Sequence, residues 1–103
     1  MSKNNKKVFI PEIKKERAVL VGIITPNETE AQELEYLDEL AFLVDTAGGE
    51  AIKTFTQKLQ KPDVRTFVGK GKLQEINDYR RAEEADVVVF DHELTPSQLR
   101  NVE

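Results

Sequence analysis

Two places in this 103-residue chain combine residue types that could do chemistry. The first is Gly69-Lys70-Gly71-Lys72, a glycine–lysine alternation that runs into a helical pattern. Free backbone N–H groups at a helix start, with two ammonium groups beside them, can converge on an anion. A loop of the form G-x-x-x-x-G-K-[ST] is the stronger version of that arrangement, and this stretch departs from it twice. Thr66 stands where the first glycine belongs, and Leu73 replaces the hydroxyl that would bind magnesium. Contact with the phosphate of a mononucleotide or of RNA therefore competes with a plainer reading, a strand-to-helix turn in which glycine supplies the backbone angles.

The second place is Asp91-His92-Glu93, at the end of an apolar run over residues 86–90. Open α/β sheets place ligands beyond the carboxyl ends of their strands. Three consecutive side chains point in different directions, however, whereas metal ligands must converge. His92 is also the one histidine of the chain. No metal site is expected there, and Asp91 is expected to orient the Thr95 loop by hydrogen bonding. Asp45-Thr46-Ala47-Gly48 imitates an Asp-x-x-Gly nucleotide switch, but neither an upstream phosphate loop nor a downstream Asn-Lys-x-Asp motif accompanies it. It reads as a surface helix end. With no cysteine, no Ser-His-Asp spacing and no carboxylate pair poised as acid and base, no catalytic residue is expected.

The elements that must position these residues follow from periodicity. Residues 18–24 are almost continuously apolar, the pattern of a strand covered on both faces. Thr29 and Gln32 have capping-box spacing and open a helix reaching about Ala47. Its predicted inner face is Leu34, Leu37, Leu40, Ala41 and Val44, with Glu33, Glu35, Asp38 and Glu39 wet. Gly48-Gly49 stops it. Residues 51–59 read as a second strand, and residues 64–68 as a short β-prone piece before the Gly-Lys loop. A helix over residues 71–84 should turn Leu73, Ile76, Tyr79 and Ala82 inward. The strand over residues 86–90 comes next, then a helix with Thr95 as cap, Pro96 at its first position and Gln98 completing a second capping box. Strands alternating with helices define one α/β domain with a small, mostly parallel sheet flanked by helices.

The net charge of −4 hides a segregation. Residues 1–17 hold six basic and two acidic side chains, and residues 27–50 hold eight acidic and no basic ones. Residues 51–81 reverse to eight basic against three acidic, and residues 82–103 return to six acidic against one basic. A local basic segment can meet phosphate even in an acidic chain; a mixed, solvated surface is the bland alternative. Residues 1–16 read as a flexible basic leader. No apolar run approaches a membrane span and no signal-peptide pattern opens the chain, so a cytoplasmic protein without a membrane partner is expected.

Specific residues carry more. Phe67-Val68-Gly69-Lys70-Gly71-Lys72, Glu75-Ile76, Phe90-Asp91 and the run from Glu93-Leu94-Thr95-Pro96-Ser97-Gln98 to Glu103 resemble the N-terminal domain of the HflX family of ribosome-associated GTPases. Ala18-Val19-Leu20-Val21-Gly22 and Thr54-Phe55-Thr56-Gln57 add to the likeness, which covers residues 17–103. The resemblance implies a truncated domain, with a helical hairpin and a GTPase domain to follow in cis. GTP and magnesium would belong to that later domain, so this chain alone is expected neither to bind nor to hydrolyse GTP. It implies docking on the large ribosomal subunit and its RNA, in the splitting or rescue of stalled ribosomes. The expected contacts are Arg65, Lys70, Lys72, Arg80 and Arg81, with Gly69 and Gly71 shaping the loop. Two other readings stay open: an independent ATP-binding domain, and a structural scaffold that positions the GTPase domain. An unpaired sheet edge implies that the fragment can self-associate.

Overall fold

The computed structural model describes residues 15–92 and 96–102; the basic leader up to Lys14 and the Thr95 cap lie outside the described residues. Six elements follow in the order β1 (Glu16–Ile24), α1 (Glu30–Thr46), β2 (Gly49–Lys58), α2 (Lys70–Ala82), β3 (Val87–Phe90) and α3 (Pro96–Val102). The strands form one parallel sheet in the order β2-β1-β3, which is the expected α/β class. No described helix is long and apolar enough to cross a membrane.

The apolar run of β1 makes it the central strand, and every residue from Ala18 to Ile24 is buried. Alternation splits its side chains between two cores. Val19, Val21 and Ile23 pack with Phe55, Phe67, Val68 and Ile76 on the α2 side, while Ala18 and Leu20 pack with Leu37 beneath α1. Each such Val, Leu or Ile contributes about 1.5–3 kcal/mol by leaving water. Among the described residues both neighbours are edge strands, and β3 pairs through Ala18↔Val87 to Val21↔Phe90.

Helix α1 begins as its sequence dictates. Thr29 Oγ1 accepts the Gln32 N–H at 3.0 Å, and the Thr29 N–H donates to Gln32 Oε1 at 2.9 Å. Gly48, at φ +94°, ends the helix in the left-handed region. The inner face differs from expectation at one turn. Leu34 is 43% exposed, whereas Glu33 is 1% exposed. Leu37, Leu40, Ala41 and Val44 do pack on the sheet, and Glu33 completes their i, i+4, i+7, i+8, i+11 stripe. The space for a carboxyl group comes from Gly22, which faces α1 without a side chain.

Residues 64–68 are not a strand. Asp63 and Phe67 exchange two backbone hydrogen bonds of 2.9 Å across a tight turn. Asp63 Oδ1 accepts the N–H groups of Arg65 and Thr66 at 2.8 and 3.1 Å, which holds its carboxyl below the usual carboxylate range. Phe67 adopts φ +71°, unusual for an aromatic residue, and the turn drops its ring into the core, edge-on to Phe90 at 5.5 Å. Burial of the ring offsets the backbone strain.

Helix α2 turns Ile76 fully inward with Leu73 and Tyr79 beside it, while Ala82 is exposed and Ala85 takes the buried place beyond the helix end. The chain leaves α2 through a Schellman arrangement: Ala85 N–H donates to Arg80 O at 2.9 Å and Glu84 N–H to Arg81 O at 3.3 Å. Glu84 occupies the left-handed position, φ +54°. Since that conformation costs an L-residue roughly 1–2 kcal/mol, Glu84→Gly should stabilise the fold by about 1 kcal/mol after glycine's extra unfolded-state entropy is subtracted. A urea unfolding curve with unchanged slope and a higher midpoint checks it.

Candidate functional site

The Gly-Lys stretch is the first turn of α2. Gly69 is the N-cap, at φ −64°, and offers no side-chain cap. Neither Gly69 nor Gly71 has a positive φ, so backbone angles do not require glycine there. Gly69 N–H donates to Gln57 Oε1 at 2.8 Å, and a Cβ would come within 3.2 Å of the same side chain. The demand at Gly69 is closeness to β2; at Gly71 a Cβ would meet open space.

Nothing acidic occupies the first turn of α2, where a carboxylate would complement the helix dipole, and Lys70 and Lys72 stand there instead. Lys70 and Arg80 line one cleft of about 440 Å³ between α2 and α3. Leu73, Ile76, Val88 and Val102 give that cleft apolar walls, and the amides of Gln74, Asn77 and Asn101 add polar ones. Arg65 is tied to its rim, because Asn101 Nδ2 donates to Arg65 O at 3.0 Å. Arg81 lies on the Lys70 face by helical spacing, at i+11. Lys72 points elsewhere: its ammonium meets Glu75 at 3.2 Å and its side chain is 24% exposed. Among the described residues, Arg65, Lys70, Arg80 and Arg81 pair with no carboxylate. Gln98 is buried and its Nε2 donates to Asp63 O at 2.6 Å, binding α3 to the turn.

A second cluster, under α1, joins Asp91 and His92 to Glu28 and Glu33, whose part in it went unread in the sequence. Glu28, Glu33, Asp91 and His92 line a cavity of about 320 Å³ with Tyr36, Glu39, Leu40 and Leu43. Asp91 N–H continues the sheet by donating to Val21 O at 2.9 Å. Burial, with the Asp91 and Glu28 carboxylates alongside, pushes the Glu33 carboxyl up to about 8. A run of acidic residues on a helix reads as a wet face; the signal that one of them is buried is Gly22 in an otherwise bulky strand. A methyl group at Gly22 would overlap the Glu33 carboxyl and stand 3.0 Å from Leu37 Cδ1. Gly22→Ala should therefore destabilise by about 1–3 kcal/mol. Combined with Glu33→Ala it should cost less than the sum, measured as a coupling energy from denaturant melts.

The sheet, with α1 on one face and α2 on the other, defines a small, doubly covered parallel α/β domain. Residues 34–103 match the family described as GTP-binding GTPase N-terminal, and the chain belongs to that family. It is 51% identical over 87 residues to the GTPase HflX of Flavobacterium psychrophilum, covering 84% of this chain and 21% of that protein. The GTPase HflX of Escherichia coli is 43% identical over 88 residues, 85% of this chain and 20% of the relative. That of Caldanaerobacter subterraneus is 43% identical over 89 residues, again 20% of its own length. The HflX resemblance read from the sequence is thus borne out, and the chain spans about a fifth of the length of these curated relatives.

Proposed function

We propose that this domain docks an HflX-type GTP-binding protein on the RNA of the large ribosomal subunit, in the cytoplasm, and orients a GTPase domain that acts in splitting or rescuing stalled ribosomes. GTP and its magnesium ion belong to that GTPase domain, which is a partner in cis. The observation that carries this reading is the α2 start. Lys70, at a helix N-terminus that lacks a capping carboxylate, shares a cleft with amide donors and with Arg80 from the last turn of α2. Phosphate oxygens accept from all of these groups, and RNA presents phosphates in series.

Docking is tested by sedimentation of the chain with purified large subunits across a salt series. Binding should weaken with salt, and Lys70→Glu with Arg80→Glu should weaken it further. A double variant that binds like the parent at every salt concentration overturns the reading and leaves a scaffold. Saturable ATP binding, abolished by the same changes, would instead favour a nucleotide site in the α2–α3 cleft.

A further inference from the structure

We propose that Glu28, Glu33 and His92 form a binding site for a divalent first-row transition-metal ion. One ligand atom from each of the three lies within 4.8 Å of the others. Donors about 2.1 Å from a shared ion sit roughly 3.4 Å apart in a tetrahedral site, so small side-chain rotations suffice to close the set. The residues come from three separate places: Glu28 from the β1–α1 loop, Glu33 from α1, and His92 from the end of β3. Asp91 lines the same cavity and can supply a further oxygen or accept from a bound water.

An acidic cluster alone would carry nothing, but Glu33 is not an ordinary surface carboxylate. It lines the cavity, is 1% exposed, and its Oε2 meets no hydrogen-bond donor among the described residues. Orphaned buried oxygens of this kind are costly, and a cation is the ligand that satisfies a carboxylate among other carboxylates. β1 gives up its side chain at Gly22 to admit the group. The location agrees with the topology. The chain runs from β1 to β2 on one side and then crosses to β3 on the other, so the crevice between the carboxyl ends of β1 and β3 is the switch point of the sheet. The donor set selects the ion: one imidazole with carboxylates suits zinc or manganese better than magnesium, which keeps oxygen ligands and its own water. His92 is exposed, which leaves an entry path.

The test is calorimetric titration of the chelator-stripped chain with ZnCl2 and, separately, MnCl2 near neutral pH. One ion per chain should bind with a Kd below ~10 μM for at least one of the two metals. His92→Ala and Glu33→Gln should each weaken it at least ~10-fold. Metal should raise the Tm of the parent and not that of His92→Ala, whose exposed position leaves the metal-free fold intact. Absence of stoichiometric binding by both metals, or a His92→Ala variant that binds like the parent, overturns the site. A proton shared between the Glu33 and Asp91 carboxyls would then account for the burial.

Discussion

Raising the pH from 5 to 8 in chelator-treated buffer should steadily lower the melting temperature of this protein, and Glu33→Gln should remove most of that slope. The sign follows from linkage. In the unfolded chain Glu33 titrates near 4.5, while in the fold burial and the neighbouring Asp91 and Glu28 raise it to about 8. Between those values the native state holds a proton that the unfolded state has released. Stability contributed by the protonated carboxyl is therefore complete below pH 4.5 and is lost as pH rises toward 8. The loss runs at about 1.4 kcal/mol per pH unit across the window and flattens above it. The total is on the order of a few kcal/mol, a large share of a small domain's stability. A glutamine keeps the shape, never ionises, and can donate to the Asp91 carboxylate. The variant should match the parent at pH 5 and exceed it at pH 8, as read by thermal melts at matched ionic strength. Parallel curves for the two proteins would show that Glu33 titrates normally.

Reversing charge at the start of α2 should separate docking from folding, because the two effects have opposite signs. Lys70 sits in the first turn, where the partial positive end of the helix dipole disfavours it. Lys70→Glu should hence stabilise the isolated domain by about 0.3–1 kcal/mol. Its effect on large-subunit binding should be a loss, since the proposed phosphate contact is replaced by repulsion. Each contact removed lowers the slope of log K against log salt by roughly one unit. Adding Arg80→Glu at the far end of the same cleft should deepen the loss and flatten the slope again. Lys72→Glu is the internal control. Its ammonium already serves Glu75 at 3.2 Å, so it should change docking less than Lys70→Glu does. A variant that melts higher yet binds more weakly cannot be dismissed as misfolded. If Lys72→Glu and Lys70→Glu are equally damaging, the cleft is not what the RNA meets.

Local chemistry was legible in the sequence, and burial set by a distant residue was not. The Thr29–Gln32 capping box, Gly48 as the helix stop and the continuous apolar run of β1 each act within a few residues, and each stands where expected. The strand expected over residues 64–68 failed because Asp63 captures the N–H groups of Arg65 and Thr66, bending the chain before a ladder can form. β-propensity there reflects burial of Phe67 and Val68, which the turn achieves without a strand. Glu33 and Leu34 exchanged roles for a different reason. Helical periodicity places a stripe only to within about one residue's rotation, and the deciding datum, the missing side chain of Gly22, lies on another element. The basic residues were recognisable as a set, but their division, with Lys72 turned from Lys70, depends on which face of α2 Ile76 anchors.

The placement of β1 also governs how the chain comes off its own ribosome. Among the described elements it is synthesised first, yet it is satisfied only when its second neighbour, β3, arrives. Arg17 and Asp86, which exchange hydrogen bonds of 2.8 Å at the mouth of that pairing, are 69 positions apart. At roughly 5–20 residues per second, those 69 positions take about 3 to 14 seconds to synthesise, and for that time β1 lacks its second neighbour. Pairing with β2 can come sooner, but it leaves the opposite edge of β1 bare. Cooperative folding thus waits until Phe90 has emerged, and a stall before that point presents a chaperone with one continuous hydrophobic segment from Ala18 to Ile24.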